Sequence, residues 1–232
     1  CGFYTDEINK AVLCKVSNEL AERAWNTDDV VYYDLLKKKG LSVKDIGETG
    51  SYRVLHFTGA HYPYMMDRYG NRTEVEGSQV DQCLGSLMIT SEYLKQLKQL
   101  GVYDNATIIV TADHGEWEFN EEMTCPSDPI FLVKPKETAQ EASQPVVYSA
   151  APTGHLDIAD TILAAVGATS SSYGGMNALD IPEQERPRYY NATIVQQPGN
   201  VRTGIMQWQI NGNASDWNNW SKTGKQWPIV GD

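Results

Sequence analysis

Apolar residues recur at helical spacing in several parts of the chain, and small or turn-forming residues separate these parts. The spacing predicts helices over 7–25, 28–39, 78–100 and 155–166. The last three predicted helices each stop at a glycine, namely Gly40, Gly101 and Gly167, and glycine is the residue that most often ends a helix. The apolar face of the third helix consists of Val80, Leu84, Leu87, Met88, Leu94 and Leu97.

Short runs rich in β-branched and aromatic residues lie between these helices. They predict strands over 52–57, 106–112 and 129–133, of which 106–112 is typical of a strand buried on both faces. The order strand 52–57, helix 78–100, strand 106–112 is a βαβ pattern, which predicts two parallel strands joined by a right-handed crossover. The sequence therefore indicates an α/β fold with a mainly parallel sheet.

The last third of the chain has a different pattern, with predicted strands and no predicted helix between them. Strands are predicted over 189–195 and 204–210, and Asn211-Gly212 is a strong hairpin-turn signal. We expect a small antiparallel C-terminal appendage packed on the edge of the main sheet. Four tryptophans of this region could form a carbohydrate platform, but on short antiparallel strands such residues more often belong to the core. They are Trp208, Trp217, Trp220 and Trp227.

Composition narrows the range of partners. The chain has 232 residues, of which 41% are hydrophobic, enough for a sizeable core. Lys+Arg 19 against Asp+Glu 30 gives a formal charge of −11, and this charge would repel nucleic-acid phosphates. No nucleic-acid partner is expected. No window approaches the ~18 apolar residues of a membrane-spanning helix.

Candidate chemistry lies where the predicted strands end. His61 follows the strand 52–57, and Asp113 and His114 directly follow the strand 106–112. Ligands of open parallel sheets bind beyond the carboxyl ends of the strands, so we expect these side chains at one edge. A carboxylate with a neutral imidazole suits zinc or manganese. An Asp-His-Gly tripeptide alone is also compatible with a simple strand-terminating turn.

Three segments together resemble the alkaline-phosphatase/sulfatase superfamily. Thr-Ala-Asp-His-Gly-Glu at 111–116 is similar to its metal-binding motif, written [ST]-x-Asp-His-Gly-Glu. Val-Leu-His-Phe-Thr-Gly-Ala-His-Tyr-Pro-Tyr at 54–64 resembles the upstream histidine motif of lipoteichoic acid synthases and phosphoethanolamine transferases. The segment 154–163 resembles the downstream Asp-Ile-x-Pro-Thr-Ile-Leu segment of sulfatase-like enzymes, with Asp160 in place of the proline. The resemblance covers roughly residues 28 to 230.

The resemblance implies roles for five residues. Asp113 and His114 would bind a divalent metal ion, manganese or zinc in preference to calcium or magnesium. His61 would contact the phosphate or sulfate oxygens of the substrate. His56 matches a further histidine of the phosphoethanolamine transferases, although a histidine satisfied by a backbone partner is an equal alternative. His155 either points into the site or only approaches its helix N-terminus.

The resemblance also implies a three-layer sandwich and parts that the sequence lacks. No strand leading to an acidic turn and no helix opening with a Thr, Ser or Cys nucleophile precedes the histidine motif. We therefore expect the C-terminal part of a catalytic domain, inactive alone, whose partner is the missing N-terminal half. Residues 1–50 would be a helical lead-in, 51–180 the sulfatase-like core and 181–232 the antiparallel subdomain.

Three functions follow as expectations. The first is a phosphoglycerol or phosphoethanolamine transferase acting on a cell-surface glycolipid or polymer, extracytoplasmic and anchored to the membrane through segments outside this chain. Its substrate would be anionic and lipid- or glycan-linked. The second is a soluble sulfatase or phosphatase. The third is a non-catalytic binding module with a degenerate site, which would bind no metal at Asp113 and His114.

Overall fold

The structure is a computed structural model that describes residues 29–43, 50–116, 118–119, 124–125, 128–136, 145–168, 174–196 and 201–228. The helix predicted over 7–25 lies outside these residues. The chain divides into two compact units, Cys1–Tyr103 and Asp104–Asp232. This division differs from the predicted boundaries at 50 and 180, which stay predictions. None of the described helices is long and apolar enough to cross a bilayer.

The first unit contains two helices, both predicted from the sequence. Helix α1 spans Asp29–Lys39, with an acidic residue in its first turn and lysines in its last, as the helix dipole favours. Helix α2 spans Gln79–Gln99 and begins at Ser78, whose hydroxyl accepts the Asp81 N–H. Gly40 and Gly101 both have a φ of 68°, the left-handed conformation that ends a helix.

The core of the first unit is small. Tyr33, Met66 and Ile89 are buried in it, and Phe57 packs against them. The prediction of a strand over 52–57 is wrong. The structure has no helix or strand there and leaves Val54 68% exposed. A strand requires a neighbouring strand for its backbone hydrogen bonds, and no strand lies within the described part of this unit. The strand propensity of residues 52–57 was therefore not enough to make this segment a strand.

Helix α2 is also buried on a different side from its predicted apolar face. Val80, Leu84, Leu87 and Met88 are 38–64% exposed, whereas Gln82, Gly85, Ile89 and Gln96 are buried. The two glutamines are buried because they bond to backbone groups. Gln96 Nε2 donates to the Leu36 carbonyl at 3.1 Å, and its Oε1 accepts the Leu41 N–H at 2.7 Å.

Gly85 allows α2 to approach the loop around Met66. A Cβ at this position would lie 2.4 Å from the Asp67 carbonyl oxygen and 2.9 Å from the Met66 side chain. Inside a helix, alanine stabilises the fold by about 1 kcal/mol relative to glycine, but a side chain that overpacks against backbone destabilises it by about 1–3 kcal/mol. We expect Gly85→Ala to lower the urea midpoint, measured by circular dichroism. The exposed Cys83→Ala should leave it unchanged, and a stabilised Gly85→Ala would contradict the prediction.

The second unit begins with a two-stranded antiparallel sheet. Strand β1 spans Ile108–Thr111 and pairs with β4, which spans Phe131–Lys134, so both predicted strands are confirmed. Strands β2 (Glu118–Phe119) and β3 (Thr124–Cys125) lie between β1 and β4 in the sequence and form a separate antiparallel pair. Residues 108–110 are half-buried rather than buried on both faces. A mainly parallel sheet in a three-layer sandwich stays a prediction.

A helix and a three-stranded sheet complete this unit. Helix α3 spans Leu156–Ala165, close to its prediction, and is followed by a short 3₁₀ turn at Ala178–Asp180. Strands β5, β6 and β7 span Arg188–Gln196, Val201–Ile210 and Trp220–Pro228 and form an antiparallel sheet in that order. Both strands predicted in this region are confirmed.

The C-terminal sheet differs from its prediction at one connection. Asn211-Gly212 does not form a two-residue hairpin, because residues 211–219 join β6 to β7 and include a 3₁₀ turn, Trp217–Asn219. The sheet covers a core of Ala192, Trp208, Ile210 and Trp220. Two of the four tryptophans are therefore core residues, as the commoner interpretation had it, while Trp227 is 43% exposed.

Candidate functional site

His56 and His61 lie in the irregular segment that precedes α2 in the first unit. Both imidazoles are exposed. The His61 backbone N–H donates to the Thr58 carbonyl at 3.3 Å, which closes a turn around Gly59, whose φ is 65°. The His61 ring Nδ1 makes a short hydrogen bond to the Tyr62 carbonyl. The turn therefore presents His61 at the surface of this unit.

Asp29, at the start of α1, supports this turn and was not singled out from the sequence. Its carboxylate accepts the N–H groups of Thr58 and Gly59 at 3.0 and 2.9 Å. Burial raises the pKa of Asp29, although these N–H groups and the charge of His56 act in the opposite direction. Its only sequence signal was an acidic residue at a helix start, which normally indicates a cap alone.

Asp113 and His114 follow β1 in the second unit, as predicted. The Asp113 carboxylate accepts the His114 backbone N–H at 3.0 Å, and its side chain is 83% exposed. The His114 ring Nδ1 bonds to the Gly115 carbonyl at 2.7 Å. Because a carbonyl only accepts, Nδ1 carries the proton and the lone pair of the neutral ring is on Nε2. A backbone carbonyl commonly orients metal-binding histidines in this way.

His155, the residue before α3, lies beside this strand end. Its Nε2 donates to the Ala112 carbonyl at 2.9 Å, one residue before Asp113. The structure therefore brings His155 together with the Asp113-His114 pair, three of the five predicted residues. His56 and His61 belong to the other unit, and a shared site between the two groups stays a prediction.

A buried ion pair fixes the backbone beside His155. The Asp157 carboxylate accepts two N–H groups of Arg186, both at 2.9 Å, and the backbone N–H groups of Gly154 and Met176 at 2.8 and 2.9 Å. Burial alone would raise the pKa of Asp157, but these donors, Arg186 foremost, outweigh burial and lower it. Asp157 is 1% exposed, and its lowered pKa means that the carboxylate is ionised at neutral pH although it is buried.

Comparison with known proteins identifies the family of the chain. The profile of the family described as Sulfatase matches residues 16–168, more than half of the chain. The chain belongs to the sulfatase family. No curated protein and no solved structure matched it. The sulfatase-family match includes all four histidines and Asp113, and it ends before the C-terminal sheet.

Membership of the sulfatase family places the chain in the alkaline-phosphatase/sulfatase superfamily of hydrolases and transferases. Sulfatase-family domains are generally metal-dependent, which makes the donor set at the end of β1 the natural place to test for a cation. His114 Nε2 and Asp113 Oδ1 are 4.0 Å apart. Two ligands that each lie about 2.1 Å from one tetrahedral ion are about 3.4 Å apart, so the pair could share an ion only after its two atoms approach each other by about 0.6 Å.

The donor set remains small within the described ranges. No group of three or more His, Cys, Asp or Glu side chains suited to a metal lies there. His155 Nε2 bonds to the Ala112 carbonyl rather than facing the Asp113 carboxylate as a third ligand. Within the described residues, the end of β1 therefore carries two candidate ligands, Asp113 and His114, and an adjacent imidazole.

Proposed function

We propose that the chain serves a metal-dependent transferase of the cell surface that moves a phosphoglycerol or phosphoethanolamine group to a glycolipid or polymer. In this proposal Asp113 and His114 bind manganese or zinc, and His155, His61 and His56 bind the anionic group. The observation that carries it is the His155 hydrogen bond to Ala112, because it joins an imidazole to the strand end that bears the metal pair.

The transferase is preferred over other members of the family because of the segment 59–64. Its Gly-Ala-His-Tyr-Pro-Tyr sequence resembles the histidine motif of phosphoethanolamine transferases and lipoteichoic acid synthases. An extracytoplasmic location and a mainly parallel three-layer core, completed by an N-terminal half, belong to the same proposal. A soluble sulfatase or phosphatase is the alternative that the family match also accommodates.

In this proposal the side chains bind the metal ion and the anionic group of the substrate and hold them in position. When bound, the cation would supply electrostatic stabilisation of the oxyanion and lower the pKa of a coordinated hydroxyl. His61 and His155 each already donate one ring N–H to a backbone carbonyl. Each can donate its other ring N–H to a phosphate oxygen only as an imidazolium. Each histidine would then add positive charge beside the oxyanion that it binds.

Loss of either ligand should weaken metal binding. We expect Asp113→Asn and His114→Gln to raise the Kd for Mn²⁺ at least about tenfold, or 1.4 kcal/mol, because each removes one of two protein ligands. Electron paramagnetic resonance of free Mn²⁺ measures the change, and Asp104→Asn, in the exposed turn before β1, is the matched control. Equal binding by all three variants would overturn the metal assignment, and no binding by the unmodified chain would favour the non-catalytic module.

The substrate class can be tested at the histidines. We expect inorganic phosphate and phosphoethanolamine to shift the ring signals of His61 and His155 in ¹H–¹⁵N spectra, with sulfate acting more weakly. A preference for sulfate would favour the sulfatase alternative.

A further inference from the structure

The segment that carries His61 is attached to both helices of the first unit by buried polar side chains. Gln82 on α2 donates its Nε2–H to the Gly59 carbonyl at 2.9 Å and accepts the Met66 N–H on Oε1 at 2.9 Å. Asp29 on α1 accepts the N–H groups of Thr58 and Gly59. Both polar backbone atoms of Gly59 are therefore bonded to side chains from different helices.

These two side chains are expensive to bury. Asp29 is 6% exposed and Gln82 is 5% exposed, and desolvation of a carboxylate or an amide costs several kcal/mol unless hydrogen bonds replace the lost water. An apolar pair of similar volume would be buried at lower cost. What an apolar pair could not do is fix the direction of the backbone from Thr58 to Met66.

The fixed backbone leads directly to His61. Its N–H bonds to the Thr58 carbonyl, and the Thr58 N–H is held by Asp29. The ring of His61 bonds to the carbonyl of its own neighbour, Tyr62, and this contact moves with the loop and cannot anchor it. The position of the imidazole therefore depends on the turn, and the turn depends on Asp29 and Gln82.

We infer that Asp29 and Gln82 are positioning residues that hold His61 in place for the oxyanion of the substrate. The inference rests on the proposed role of His61 in anion binding. Binding groups must be held within about 0.5 Å of the productive geometry, and a displacement of ~1 Å reduces catalysis on the order of a hundredfold. Neither residue needs to touch the substrate.

The test measures phosphate binding at His61 and stability in the same samples. Asp29→Asn puts an N–H₂ where a backbone N–H needs an acceptor, and Gln82→Glu puts an acceptor opposite the Gly59 carbonyl. We expect each to raise the Kd for inorganic phosphate, read from the His61 ring signals, on the order of tenfold. The exposed Asp34→Asn on α1 and Gln99→Glu on α2 are matched controls and should keep the Kd of the unmodified chain.

The outcomes separate the inference from the proposed function. A His61 ring that ignores phosphate in the unmodified chain overturns both. A normal response that survives in Asp29→Asn and Gln82→Glu overturns the inference alone. If Asp29→Asn unfolds the unit, Gln82→Glu decides, with Mn²⁺ binding at Asp113 and His114 as the check that the second unit is intact. Each variant should also lower the urea midpoint, because it leaves a buried backbone group without its partner. A weakened response in a variant that circular dichroism shows to be folded in the same sample, with both controls unchanged, is the result that positioning requires.

Discussion

Asp157→Ala is expected to destabilise the second unit by roughly 2–4 kcal/mol. The change leaves the Arg186 guanidinium, whose side chain is 25% exposed, without the carboxylate that accepts two of its N–H groups. Removing one partner of a buried ion pair costs about 3–5 kcal/mol, and we reduce this figure because water reaches part of Arg186. The Gly154 and Met176 N–H groups lose their acceptor as well.

Urea unfolding followed by circular dichroism measures the loss. Asp180→Ala is the matched control, because its exposed carboxylate accepts one N–H from the Asn177 side chain, and it should cost about 0.5 kcal/mol or less. If Asp157→Ala lowered the free energy of unfolding by no more than this control does, the ion pair would not stabilise α3. The same variant should weaken phosphate binding at His155, since Gly154 immediately precedes it.

The same carboxylate predicts a pH dependence. The pKa of Asp157 in the folded chain lies below its ordinary value of 3.8, so its ionisation stabilises the fold at any pH above that value. Stability should fall as the pH decreases from 3.8 through the lower, folded-state pKa, because the unfolded chain then binds the proton more readily. Asp157→Ala should lack this part of the acid loss, which urea titrations at several pH values would reveal.

The sequence predicted the helices well because their ends are local signals. Ser78 and the two glycines with left-handed φ act within a few residues of the helix they terminate. The strand over 52–57 failed because a strand depends on a partner that may lie anywhere in the chain. The buried side of α2 was missed because three of its four buried residues are a glycine and two glutamines, and only Ile89 is a large apolar residue.

The same contrast between local signals and long-range contacts applies at the candidate site. His61, Asp113 and His114 could be proposed as site residues because sequence motifs mark them, and Asp113 and His114 also follow a strand. Their supports could not be, since each bonds to a residue far away in the chain. Asp29 bonds to a residue 30 positions later, Gln82 to one 23 positions earlier and Arg186 to one 29 positions earlier. No spacing rule relates such pairs, so only a three-dimensional structure reveals them.

Trp220→Ala is expected to destabilise the C-terminal sheet by about 3–5 kcal/mol, the usual cost of removing a buried tryptophan. Trp220 is 7% exposed, its ring lies 4.9 Å from that of Trp217 and 5.7 Å from that of Tyr190, and its Nε1–H donates to the Ala214 carbonyl at 2.8 Å. The substitution therefore removes core volume and also removes one hydrogen bond between the sheet and the connection 211–219.

Trp227→Ala supplies the matched control for this prediction, because the same residue type on the same strand is 43% exposed. It should cost about 1 kcal/mol or less. Urea unfolding followed by tryptophan fluorescence compares the two variants. If Trp220→Ala were as stable as Trp227→Ala, the aromatic cluster would not be the core of this sheet, and a ligand-binding role for its tryptophans would regain support. A large difference between them assigns Trp220 to the core and leaves Trp227 as the residue to test against glycans.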